Sequence, residues 1–121
     1  MKQKFPSKDS SLLEIRNEFD SLAIKLQDFG EKWAKWKSES NRYERLAKRI
    51  RAEVMAEHLG KAVNYRELMA ENNNKYKEAV DKWTDADKKS NWYRVQYDVT
   101  MVKIDLLRSI NSLRKTEMEY Q

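Results

Sequence analysis

This chain of 121 residues contains no cysteine, one proline, two glycines and one histidine. Without cysteine there is neither a disulfide nor a thiol nucleophile, and a single histidine excludes metal sites built from several imidazoles. So little glycine and proline disfavours the tight turns of a sheet-rich fold. No run approaches the roughly 18 apolar residues of a membrane span, and no signal core follows the first residues. We therefore expect a cytoplasmic protein that makes no membrane contact, has no cofactor and is not an enzyme.

One apolar series runs through the first half of the chain at alternating steps of three and four, with only Ser40 interrupting it. Because a helix turns once in about 3.6 residues, this spacing places the series on one face. Such a face needs a second helix, from the same chain or from a copy of it. The spacing predicts an all-α fold, a long helical hairpin with coiled-coil-like heptads that assembles as an oligomer. The series consists of Leu12, Ile15, Phe19, Leu22, Leu26, Phe29, Trp33, Trp36, Tyr43, Ala47, Ile50 and Val54.

The predicted organisation is a flexible arm over residues 1–10 and a single helical domain over residues 11–121. The first helix is predicted over residues 11–59. Ser10 or Ser11 can cap its start, and Glu14, three residues after Ser11, completes a capping-box pattern. Gly60 suits the left-handed position that closes many helices.

A returning helix is predicted over residues 64–116, where Asn64 begins a second capping pattern. The asparagines at 72–74 compete for backbone hydrogen bonds, so a kink is expected near them. Gly30 allows a kink in the first helix, but the three-four spacing continues in phase across it and favours continuity.

The last stretch of the chain carries two adjoining apolar stripes. Its β-branched residues make a strand the competing interpretation, and three-four spacing over about twenty residues favours a helix. One stripe contains Trp92, Val95, Val99, Val102, Leu106 and Leu113, and the second contains Tyr93, Tyr97, Met101, Ile104 and Ile110. A face this broad can contact two neighbours at once. We assign subunit assembly to Trp92, Val95, Val99, Val102, Leu106, Ile110 and Leu113.

The whole net charge of +5 lies between Glu31 and Arg51, where eight basic residues face three acidic ones. Cations interleaved with aromatic rings suit single-stranded nucleic acid, because the charges follow phosphates and the rings stack on bases. The competing interpretation is a solvated helical face whose aromatic residues belong to the packing stripe. The basic residues are Lys32, Lys35, Lys37, Arg42, Arg45, Lys48, Arg49 and Arg51.

Other features have simpler explanations. Asp81, Asp85 and Asp87 could suggest a metal cluster, but lysines intersperse them and a solvated face explains them better. His58 lies near a helix end, where histidine commonly meets terminal carbonyls. A membrane-surface helix is disfavoured because acidic residues mix with the cations of the first helix.

The half of the chain from Tyr43 onward resembles the UvsY-like recombination mediators of tailed phages. The resemblance is carried by Tyr43-x-x-Leu46, Arg51-Ala52-Glu53, Ala56-Glu57, Gly60-Lys61, Arg66-Glu67, the run from Lys103 to Ile110, and Leu113-Arg114. It implies an all-helical oligomer that binds single-stranded DNA and helps to load a recombinase onto strands coated by single-strand-binding protein. It also implies DNA contacts by the basic residues from Lys48 to Arg51 and by Lys61 and Arg66.

The first hypothesis is therefore a phage recombination accessory protein acting in the bacterial host. Its partners would be single-stranded DNA, further copies of itself, and a recombinase or single-strand-binding protein. The alternative is a helical adaptor or inhibitor of a host protein such as a nuclease, docking through the aromatic stripe without nucleic acid. The nucleic-acid-binding residues of the first hypothesis are Lys35, Lys37, Arg42, Arg45, Lys48, Arg49, Arg51, Lys61 and Arg66.

Overall fold

The computed structural model describes residues 5–119, and within that range the chain forms three helices and no strand. These are α1 (Leu12–Glu57), α2 (Val63–Glu71) and α3 (Asn74–Glu119). The all-α prediction is confirmed. The chain divides into two compact units: unit 1 comprises Met1–Glu31 and Tyr93–Gln121, and unit 2 comprises Lys32–Trp92. In each unit, α1 and α3 pack side by side as an antiparallel hairpin.

The first helix begins at a side-chain cap and continues through Gly30. The hydroxyl of Ser11 accepts a hydrogen bond from the backbone N–H of Glu14 at 3.1 Å, which satisfies one donor of the first turn. The predicted left-handed conformation at Gly60 is wrong, since neither glycine has a positive φ. The chain turns instead through short backbone bonds, with the N–H of Lys61 donating to the carbonyl of His58 at 2.9 Å.

The predicted single helix over residues 64–116 is two helices, and Asn72 and Asn73 separate them. The side chain of Asn72 donates to the carbonyl of Leu68 at 2.9 Å and closes α2. The side chain of Asn73 accepts from the N–H of Tyr76 at 3.1 Å and caps α3. Both amides thus compete with the helical backbone, so the expected kink is a full break. The predicted cap at Asn64 is absent, because α2 begins at Val63 without a side-chain cap.

Unit 1 has an aliphatic core. Ile15 and Leu22 of α1 meet Ile104 and Leu107 of α3, and all four are buried. Around them pack the partly buried side chains of Phe5, Phe19, Leu26 and Ile110.

Residues 5–10 differ from the flexible arm predicted over residues 1–10, of which residues 1–4 lie outside the described range. Phe5 packs against the core of unit 1, and Pro6 is buried. The N–H of Ser7 donates to the hydroxyl of Ser10 at 2.9 Å. Lys8 lies 3.7 Å from the carboxylate of Glu117. Removing the aromatic ring of Phe5 from water stabilises the fold, and this residue is close enough to the core to be packed against it.

Unit 2 has a core of small side chains. Ala47 and Ser40 of α1 and Ala79 and Ala86 of α3 are each 3% exposed or less. The hydroxyl of Ser40 donates to the carboxylate of Asp87 at 3.2 Å. Small residues at contact positions allow two helices to approach closely, so here the larger rings lie half-buried beside the contact.

The packed face of α3 is not its most apolar face. The buried and half-buried residues follow three-four spacing through Tyr76, Ala79, Trp83, Ala86, Ser90, Tyr93, Tyr97, Thr100, Ile104 and Leu107. Another face of α3 in unit 1 carries residues that are 43 to 67% exposed, which we call the outward stripe: Val95, Val99, Val102, Leu106 and Leu113. Of the residues predicted for assembly, Trp92 is 54% exposed in unit 2, whereas Ile110 packs against the core of unit 1.

Candidate nucleic-acid interface

Four cations share one side of α1 in unit 2, and we call them the basic face: Lys35, Arg42, Arg45 and Arg49. They are separated by seven, three and four residues, so they lie on one side of the helix. All four are exposed. Ser40 and Ala47 are buried on the opposite side of the helix, and the basic face therefore points toward solvent.

Several of these cations have carboxylate neighbours on the same helix. Arg42 donates to Glu39 at 2.7 Å, and this hydrogen bond and charge raise the pKa of the Arg42 guanidinium above its ordinary value. Arg49 lies 3.8 Å from a carboxylate oxygen of Glu53. Exposed pairs of this kind contribute little to stability and exchange readily, so they leave the cations available to a phosphate.

The remaining predicted residues lie apart from the basic face. Lys37 and Lys48 occupy another side of α1, and Lys48 pairs with Glu44 at 3.0 Å. Arg51 is half-buried, close to the packed side. Lys61 is exposed in the connection between α1 and α2.

Arg66 on α2 is half-buried, and its Nε atom has no hydrogen-bond partner. The structure thus brings four of the nine predicted cations together on one surface and leaves five elsewhere in unit 2.

Two aromatic rings flank the basic face, and both carry cations from two helices. The Trp36 ring meets Lys35 at 5.2 Å and Lys89 of α3 at 4.3 Å, measured from Nζ to the ring centroid. The Tyr43 ring meets Arg42 at 4.7 Å, from Cζ, and Lys82 of α3 at 5.9 Å. These distances are within the range of cation–π attraction.

Sequence reasoning missed Lys82 and Lys89, which widen the cationic surface onto α3. Each also has an acidic neighbour one turn away, Glu78 at 3.2 Å and Asp85 at 3.0 Å respectively. The sequence does contain one sign of these contacts, which is an equal spacing of residues on the two helices. Trp36 and Tyr43 are seven residues apart, as are Lys82 and Lys89, and two antiparallel helices bring equal intervals into register.

All of the net charge of the chain lies in unit 2. Unit 2 holds 15 basic and 10 acidic residues, and unit 1 holds 10 of each, so the net +5 belongs to unit 2. A positive unit attracts polyanions and speeds their encounter.

The aromatic stripe that the adaptor hypothesis uses for docking lies largely within the fold. Trp36 and Tyr43 are half-buried beside the contact between α1 and α3 in unit 2. Of the three aspartates considered for a metal, Asp85 pairs with Lys89 and Asp87 accepts from Ser40. Within residues 5–119, no group of three or more potential ligands converges on a metal site.

Over the same described residues, none of the helices has a stretch both long and apolar enough to cross a bilayer. Compared with protein-family models, with curated proteins and with solved structures, this chain matches none.

Proposed function

We propose that this chain binds single-stranded DNA without catalysis, assembles as a homo-oligomer, and assists recombinase loading or strand annealing in phage recombination. The observation that carries the proposal is the basic face of unit 2. Four exposed cations there follow one side of α1, and two lysines of α3 join them across the rings of Trp36 and Tyr43. A strand of phosphates along a helix is the ligand that such a row of charges fits.

The binding mode follows from what covers the rings. Cations lie over both Trp36 and Tyr43, so a base could stack there only by displacing them. Phosphate contacts therefore dominate, and they carry no sequence information. We expect affinity that depends weakly on base sequence and steeply on salt.

Assembly raises the affinity of a modest site. Four to six cations per chain bind a strand weakly, but several linked copies act on the same strand at high effective concentration. The outward stripe of unit 1 supplies exposed apolar surface for this assembly. The resemblance to the UvsY-like mediators is what supports the recombination context, a recombinase or single-strand-binding protein as further partner, and a place in the bacterial host.

The test removes the basic face and compares it with an equal charge change elsewhere. In the test variant Lys35, Arg42, Arg45 and Arg49 all become Gln, which keeps good helix formers on exposed sites. In the matched control, four exposed cations of unit 1 become Gln, namely Arg16, Lys25, Arg94 and Lys115. Fluorescence anisotropy of a labelled single-stranded oligonucleotide at low salt measures the dissociation constant.

We expect the test variant to bind at least about tenfold more weakly, because each phosphate contact contributes to affinity. The control should bind almost as the wild type does, and circular dichroism should show equal helicity in all three proteins. Equal weakening in both variants would show that net charge alone matters and would refute the assigned face. No binding by the wild-type protein at low salt would remove the proposal.

A further inference from the structure

Five apolar side chains in unit 1 lie on the part of α3 that does not pack against α1. The outward stripe follows three-four spacing, the pattern of a helix that packs along its length against another helix. Val102 is 67% exposed and Leu113 57%. Ser109 lies between Leu106 and Leu113 on the same side, and its hydroxyl donates to the carbonyl of Asp105 at 3.2 Å. The one polar group on this stripe is therefore already satisfied and adds little cost to burial.

The two edges of the outward stripe carry opposite charges. Asp98 and Lys103 lie about 70° to either side of its centre at 100° per residue. Both are exposed, and neither has an ion-pair partner among residues 5–119. They are five residues apart, whereas pairs within one helix form at separations of three or four, so they do not pair with each other. Both charges are therefore available to a partner helix.

We propose that the outward stripe pairs with the same stripe of a second copy of this chain, with the two α3 helices parallel and in register. In that arrangement the acidic edge of one copy faces the basic edge of the other, and Asp98 of each chain meets Lys103 of its partner. Charges that flank an apolar seam set the orientation of helix pairs in this way. An antiparallel pair would instead place equivalent edges together, so that Asp98 and Asp105 of one chain would face the acidic edge of the other.

A second copy also suits the charge of unit 1. Its 10 basic and 10 acidic residues cancel, so two such units approach without net repulsion. A symmetric pair buries the same patch on both chains, and one exposed stripe is therefore sufficient. This pairing specifies the homo-oligomer of the proposed function and rests on it only in that respect, since it requires no DNA.

The first experiment measures the mass of the full chain by sedimentation equilibrium without nucleic acid. We expect twice 14.6 kDa for the wild type and 14.6 kDa for Val102→Glu, with unchanged helicity because Val102 points away from the core. Ile24→Glu is the matched control, since Ile24 is 71% exposed on α1 and lies outside the stripe. A monomeric wild type, or a mass that Val102→Glu leaves unchanged, overturns the inference.

The second experiment tests the direction and register of the helix pair. Because the chain has no cysteine, each introduced cysteine is its only thiol. Val95→Cys and Val102→Cys are made separately and oxidised. A disulfide needs Cα atoms about 4.4–6.8 Å apart, which a parallel in-register pair provides at both positions. An antiparallel pair can be centred on only one of them. Links in both variants and none in the Ile24→Cys control support the inference, whereas a link in only one or in neither overturns it.

The third experiment exchanges the edge charges. Asp98→Lys alone and Lys103→Asp alone should each weaken association, because like charges then face each other. The double exchange should restore it in a parallel pair and should not in an antiparallel one, and a double exchange no better than either single change overturns the inference. A monomer that still binds DNA through its basic face would refute the pairing alone and leave the binding proposal standing.

Discussion

At the scale of single residues, small side chains determine how α1 and α3 meet in unit 2. Ser40 and Ala47 of α1 and Ala79 and Ala86 of α3 are all buried, and none of these side chains extends beyond the γ position. Ser40 interrupts the apolar series in the sequence, yet it is 2% exposed and donates to Asp87. A polar residue in the series is thus a contact position whose hydroxyl is satisfied.

Enlarging Ser40 should therefore destabilise the protein even though the change increases hydrophobicity. Overpacking a close contact costs about 1–3 kcal/mol, so we expect Ser40→Leu to lower the free energy of unfolding by that amount. Ser38→Leu, on an exposed position two residues away, should stay within about 0.5 kcal/mol of the wild type. Urea unfolding followed by circular dichroism measures both. Equal effects at the two positions would contradict the close contact.

Gly30 offers the opposite case, a substitution that should stabilise. It lies inside α1, where glycine costs about 1 kcal/mol relative to alanine. A Cβ atom there would lie 3.4 Å from Cε2 of Tyr97, an ordinary contact. We expect Gly30→Ala to raise the free energy of unfolding by about 0.5–1 kcal/mol in a urea titration. A decrease would mean that the ring of Tyr97 requires the bare backbone.

At the scale of helices, the sequence predicted α1 better than α3. Its apolar series identifies the packed face of α1, from Ile15 to Val54. On α3 hydrophobicity favours the outward stripe, whereas the face that packs includes Ser90 and Thr100. Apolarity alone cannot distinguish a face that meets its own chain from one left exposed. At Asn72 and Asn73 the sequence predicts a kink rather than a break, because a local pattern shows competition for hydrogen bonds but not its outcome.

The candidate site likewise has a part that the sequence predicts and a part that depends on how the helices pack. The basic face could be predicted, because its four cations lie on one helix and their spacing decides which side they share. Lys82 and Lys89 could not, because they reach the rings of Tyr43 and Trp36 only through the pairing of α1 with α3. Arg51 and Arg66 are predicted to contact DNA, but both are half-buried, which sets them apart from the exposed basic face.

At the scale of the whole molecule, charge and exposed apolar surface fall in different units. Unit 2 carries the net +5, and unit 1 is neutral and carries the outward stripe. Mutations of the two surfaces should therefore separate: those of the basic face act on DNA affinity, and those of the stripe act on mass.

Salt dependence should report the number of phosphates bound. For roughly five contacts to single-stranded DNA, the logarithm of the binding constant should fall against the logarithm of salt with a slope near about −3.5. Replacing Lys35, Arg42, Arg45 and Arg49 with Gln leaves Lys82 and Lys89, so the slope should fall to between about −0.7 and −1.4, for one or two remaining contacts. Anisotropy titrations over a salt series measure both. A slope that the substitutions leave unchanged would place the contacts elsewhere.

The two asparagines between α2 and α3 imply that deamidation has opposite effects on the two helix ends that they join. Hydrolysis of the Asn72 amide to a carboxylate would abolish its donor to the carbonyl of Leu68 and loosen the end of α2. The same reaction at Asn73 would keep the acceptor for Tyr76 and add a negative charge where a helix start favours one. Deamidation at neighbouring positions should thus weaken one helix terminus and strengthen the next.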